Sequence, residues 1–192
     1  MKIRWKQARP GDVLGIYIGN ELYAFMRLMY LSSRYTYYLC EIFNCTSDQF
    51  RFTEDILQAP RLMPIVNANW RSYLNQKLWR AEIVHRDESY QVPVDEIRDV
   101  RLMNASQAIR FNMDWTPESD QMFVLTEDVF DVQRHAELSK KYASFTLTDN
   151  PEELVEEIRN RLGLSPKLNY NNYEERVKSW SWLKSNNVYI GS

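Results

Sequence analysis

The side chains of this sequence best suited to chemistry are few, and their spacing sets them apart. Cys40 and Cys45 are its two cysteines. A reactive pair needs closer spacing and an electropositive helix start. Cys40 instead falls inside a run of strand character, so it reads as a small core residue. His85 and His135 lie far apart in the chain, and neither belongs to a zinc-like ligand pattern. Both read as surface or hydrogen-bonded structural histidines. The chain has 5 glycines, and no group of them is spaced to cradle a phosphate. No serine stands in a strand-to-helix nucleophile elbow. Carboxylates are plentiful, but a working acid/base pair is defined by a separation in space that spacing along the chain does not supply. The reading is therefore of a chain with no catalytic residue, no metal site and no cofactor, and not an enzyme.

Side chains suited to recognition are better represented. Trp70, Trp79, Trp115, Trp180 and Trp182 are large amphipathic groups of the kind enriched both in cores and at interface hot spots. Trp180 and Trp182 are two apart on an expected helix and do not share a face, which makes Trp182 the candidate exposed anchor. Asp114, Glu118, Asp120, Glu127, Asp128 and Asp131 concentrate negative charge beside Trp115 and Phe130. One reading is a solvated loop with carboxylates at a helix start. The other is an acidic face that steers a basic partner and makes association salt-dependent. The candidate partner-binding set is thus Asp114, Trp115, Glu118, Asp120, Glu127, Asp128, Asp131 and Trp182.

The elements that would position these groups begin with a three-stranded meander. Val13 to Ile18 is expected as the first strand, Gly19-Asn20 as its turn, and Leu22 to Tyr30 as the second strand, with Leu22, Ala24, Met26, Leu28 and Tyr30 on one face. A turn at Ser32-Ser33 leads to a third strand, Tyr35 to Phe43, apolar on both faces and therefore covered. Further strands are expected at Leu62 to Val66, Leu78 to Val84, Tyr90 to Val92, Val100 to Met103, Ile109 to Met113 and Met122 to Leu125. Pro60, Pro64, Pro93 and Pro117 fall at or beside their ends.

A helix is expected from Thr126 towards Lys140. Asn150, Pro151, Glu152 and Glu153 then open a second one, striped by Leu154, Val155, Ile158 and Leu162 and stopped by Gly163. A last helix, capped by Asn172, carries Tyr173, Val177, Trp180 and Leu183 on one face. The fold class expected is α+β: a strongly bent antiparallel β-sheet or small barrel with C-terminal helices packed on it. It forms a single domain over 1–192, β-rich over 1–125 and helical over 126–192.

Composition agrees with that class. The chain has 192 residues, enough to bury a core without disulfide or metal staples, and 44% hydrophobic with 26% charged residues excludes disorder. Net charge is -2, so bulk charge points to neither nucleic acid nor an anionic membrane. By half, residues 1–110 carry 15 basic and 12 acidic side chains, and 111–192 carry 9 and 14, so the C-terminal part is the acidic one. Two cysteines are fewer than an oxidising-compartment scaffold would use, and no apolar run approaches a membrane span. The expected compartment is the cytoplasm.

The opening Pro10-Gly11-Asp12-Val13-Leu14-Gly15-Ile16-Tyr17-Ile18-Gly19-Asn20-Glu21-Leu22-Tyr23-Ala24-Phe25-Met26-Arg27-Leu28 resembles the start of the bacterial immunity-protein family twenty-six. That family begins with a Gly-Asp step, an apolar strand, a short turn and a Tyr-Ala-aromatic-x-Arg strand. Leu74 to Val84, with Trp79 ahead of an Ile-Val pair, is similar to the family's Trp-containing strand. The resemblance spans residues 8–115, with Met26 standing where a glycine is frequent, and the helical end from about residue 126 lies beyond it. It implies a non-catalytic partner protein that protects its producer by binding a cognate polymorphic toxin. A small β-barrel nucleic-acid-binding module and an undetected enzyme are the alternatives. Cofactors, a membrane partner and nucleic acid are not expected.

Overall fold

The computed structural model describes residues 7–31, 38–74, 80–104, 107–111, 123–128, 132–144 and 151–165. The meander forms as β1 (Asp12–Gly19), β2 (Leu22–Leu31) and β3 (Tyr38–Ser47). Gly19, Asn20 and Glu21 all take positive φ at 86°, 55° and 59°, the mirror-image turn whose twist suits a tight hairpin. After the short helix α1 (Glu54–Gln58) come β4 (Val66–Asn67), α2 (Trp70–Leu74) and β5 (Ala81–Arg86). The four named β-ladders of this part are antiparallel, and the strand order is β4-β3-β2-β1-β5.

That sheet is open. Its outer strands β4 and β5 do not pair with each other, so among the described residues an antiparallel sheet is present and the closed barrel is not. The chain continues as α3 (Val94–Asp99), β6 (Leu102–Asn104), β7 (Gln107–Phe111), β8 (Phe123–Asp128), α4 (Val132–Lys141), β9 (Ala143–Ser144) and α5 (Pro151–Arg161). These strands form a second sheet ordered β8-β7-β6-β9, in which β6 and β9 run parallel.

Several expected elements shift. Thr126 to Asp128 belong to β8, and the helix begins only at Val132. Ladder pairing of Glu127 and Asp128 with Ala108 and Gln107 of β7 outweighs the helix-start carboxylates. Tyr90 to Val92 is no strand, because it leads directly into α3 through Pro93. Of Leu62 to Val66 only Val66 is laddered, since Pro64 interrupts the run. The first helix of the C-terminal pair is found as α5; Asn150 and the helix expected after Asn172 lie outside the described residues.

β1 is buried along its whole length because both sheet faces are covered. Leu14, Ile16, Ile18, Ala24, Met26, Leu28, Cys40 and Ile42 face the main core, against Trp70 and Tyr73 of α2 and Leu154, Val155 and Ile158 of α5. Leu102 and Ile109 of the second sheet join the same core. Val13, Phe25 and Phe43 turn to the other face and meet Ile56 of α1, with Phe52 and Val84 at the margin. The buried Arg159 of α5 donates to the carbonyls of Ile18 and Leu164, the latter at 3.1 Å. It thereby fastens the helix end to the first hairpin.

Gly11 enters β1 at φ +91°, and a Cβ there would stand 2.6 Å from Tyr90 Cβ and 2.7 Å from the Asp87 carbonyl oxygen. Steric overlap with backbone and the left-handed cost act together. Gly11→Ala is expected to destabilise the protein by about 2 kcal/mol or more, read as a lower urea midpoint at unchanged m-value.

Candidate functional site

The cross-strand register places a chain of charges on one face of the first sheet. Arg27 of β2 lies directly opposite Glu41 of β3. Glu41 is buried, at 4% exposure, and a lone carboxylate there would cost several kcal/mol in lost hydration. It is instead gripped from two sides. Arg27 donates to one of its oxygens, and Arg61 Nε donates to Oε2 at 2.7 Å. Arg61 is set there by its bridge to Phe43 and by Leu62 N–H donating to the Ile42 carbonyl at 2.8 Å.

The far side of the Arg61 guanidinium holds Glu96 of α3 with both terminal nitrogens, Nη2 reaching Oε2 at 3.0 Å. That hydrogen bond holds the Glu96 carboxyl below its ordinary 4.5. Arg61 itself is pushed up, chiefly by the same bond, despite partial burial. The sequence Arg27, Glu41, Arg61, Glu96 thus runs unbroken from β2 to α3. Tyr90 covers its inner end, with the Arg27 guanidinium 4.8 Å above the ring. Burial raises the Tyr90 hydroxyl to about 12.

A second buried carboxylate anchors the neighbouring edge. Asp12 is fully buried in β1 and faces Arg86 of β5. Arg86 grips it bidentately, Nε to Oδ1 at 2.6 Å and Nη2 to Oδ2 at 2.8 Å, while Arg9 N–H donates to Oδ2 at 3.0 Å. Such fork-to-fork geometry is the strong form of this contact.

Outward of Glu96 the surface opens into a cleft of about 220 Å³. Arg61, Glu96, Asp99, Arg101, Lys141 and Tyr142 supply its polar lining, and Ile65 and Val100 part of its apolar wall. It therefore sits where α3 meets the end of α4.

The residues singled out in the sequence are placed unevenly. Glu127 and Asp128 close β8, paired with Ala108 and Gln107, on a strand that is outermost in its sheet among the described residues. Asp114, Trp115, Glu118, Asp120, Asp131 and Trp182 lie outside the described residues. Cys40 is fully buried, which drives its thiol far up, and Cys45 is half-buried, so both are free thiols set in packing. His85 is stacked on Phe52, ring centroids 3.7 Å apart. Among the described residues no three His, Cys, Asp or Glu side chains gather as a metal site, and no helix is long and apolar enough to cross a membrane.

Sequence reading missed Glu41, Arg61 and Glu96. An acid within an apolar strand and the run Pro93-Val94-Asp95-Glu96, with Arg98 in the last turn, were the signals present. Comparison with protein-family models, curated proteins and solved structures finds no match to this chain.

Two outcomes follow from this geometry. Arg86→Met strands the Asp12 carboxylate and is expected to cost about 3 kcal/mol of unfolding free energy by urea titration. The lowered Glu96 carboxyl stabilises the fold above its ordinary value, and that contribution is lost as pH falls through the lowered one. The stability of Glu96→Gln should therefore fall less steeply than that of the native chain between about pH 5 and pH 3.

Proposed function

We propose that this chain is an immunity protein: it binds a cognate bacterial toxin domain in the cytoplasm of the producing cell and neutralises it by occlusion, without catalysis. The observation that carries the reading is where the family-like residues come together. Arg27 lies well along the opening segment from the Gly11-Asp12 step, yet all three meet the Asp87–Tyr90 turn or its flanking strand. Gly11 closes against Tyr90, Asp12 binds Arg86, and Arg27 lies over Tyr90 on its way to Glu41. They serve as the brace of a charged sheet face.

A brace of this kind suits a tight binder, because a surface fixed before encounter loses little conformational freedom on association. The acidic residues Asp114, Glu118, Asp120, Glu127, Asp128 and Asp131, with Trp115 and Trp182 as aromatic anchors, are the contact set proposed for a basic toxin surface. Glu127 and Asp128 on an outermost strand are consistent with that role. The nucleic-acid alternative draws on a smaller feature, the cluster of Tyr17, Tyr23 and Phe50 with Arg80 4.3 Å over the Tyr17 ring. Tyr17 is only 8% exposed, so its ring is committed to packing and does not offer a base a face to stack on.

Co-expression with the toxin domain encoded beside this gene is expected to restore growth, and the two proteins should co-purify. Absence of both protection and complex would reject the reading. Reversing Asp120, Glu127 and Asp128 to Lys should slow association roughly tenfold at low salt, with the difference shrinking as salt rises. An unchanged on-rate would remove the acidic residues from the contact.

A further inference from the structure

The cleft beside Glu96 contains cations that no carboxylate pairs with among the described residues. Arg61 is spent, since its Nε, Nη1 and Nη2 all engage Glu41 or Glu96. Arg101 is different: its Nη1 donates to the carbonyls of Arg98 at 3.1 Å and Val100 at 3.4 Å, at the end of α3. Those bonds aim the guanidinium and leave its charge unopposed by any carboxylate among the described residues. Lys141, exposed at the end of α4, lies 5.4 Å from the Tyr142 ring and likewise has no carboxylate partner among them. Once the Arg61–Glu96 pair is set aside, the lining holds two free cations, Arg101 and Lys141, against one carboxylate, Asp99.

We propose that this cleft receives the side-chain carboxylate of an Asp or Glu presented by an extended segment of a protein partner. Its volume of about 220 Å³ equals that of roughly seven waters, room for one acidic side chain and part of a neighbour. Ile65 and Val100 offer apolar wall to the methylene stem, and the cations wait at the polar side. The net single positive charge of the lining suits one carboxylate, and the Ile65 and Val100 wall matches a methylene stem that a bare phosphate or a phosphodiester lacks.

The proposal rests on the binding reading above only for what carries the carboxylate, and its test needs no toxin. The intact ¹⁵N-labelled chain is titrated with N-acetyl-Leu-Glu-Leu-amide, with the Gln counterpart, and with inorganic phosphate. Saturable amide shifts are expected at Val100, Arg101 and Tyr142, with the Gln peptide at least tenfold weaker. Lys141→Glu, at an exposed position that leaves the core untouched, should weaken the Glu peptide at least tenfold. Asp99→Asn should tighten it several-fold.

Equal binding of the Glu and Gln peptides, tighter binding of phosphate, or indifference to Lys141→Glu would overturn the proposal. So would shifts confined to other parts of the molecule. Each of those results would leave protection by co-expression as a separate question.

Discussion

A carboxylate removed from water holds its position only while its partners are in place, and Glu41 is that carboxylate here. Coulomb attraction in a poorly hydrated site is strong, yet it only offsets the lost hydration when the geometry is good and both oxygens are hydrogen-bonded. Glu41 meets the condition with one arginine on either side. The consequence for the fold is register. A slip of β2 against β3 would take Arg27 away from Glu41 and also turn the apolar residues of both strands to the wrong face. Hydrophobic burial and charge pairing therefore select the same alignment.

From that fixed point the rest of the site is built outward. Arg61 carries the constraint from the sheet to Glu96, and Glu96 places α3. The position of α3 in turn sets Val100 and Arg101, which wall the cleft and lead into β6. The Asp12–Arg86 pair repeats the device at the β5 edge, with Gly11 allowing the turn at Asp87 to close on β1. Gly11, Asp12 and Arg27 are thus scaffold residues.

The parts of this arrangement legible in the sequence are those dictated by local periodicity. β1 and β2 are near-continuous runs of apolar and aromatic residues on either side of a Gly19-Asn20 turn, and α5 carries its Pro151, its first-turn acids and its apolar stripe in order. The site is less legible because it depends on register. A turn centred on Ser32-Ser33 would set Arg27 opposite Tyr38, whereas Arg27 actually faces Glu41, three residues further on. Nothing in the intervening residue types announces that offset. α1, α2 and α3 escape for another reason: each is only five or six residues long, too short to show a helical stripe. The barrel expectation failed on closure, a property of how β4 and β5 end up in space rather than of any segment.

If the Glu41 brace prearranges the cleft and α3, its loss should be felt there before it is felt in the meander. Native-state amide hydrogen exchange of Glu41→Gln against the parent chain measures this directly. The account predicts that protection falls at Ile97, Val100 and Leu102 while the β1–β2 ladder from Leu14 to Met26 keeps its own. Equal loss across both regions, or unchanged protection at α3, would contradict it.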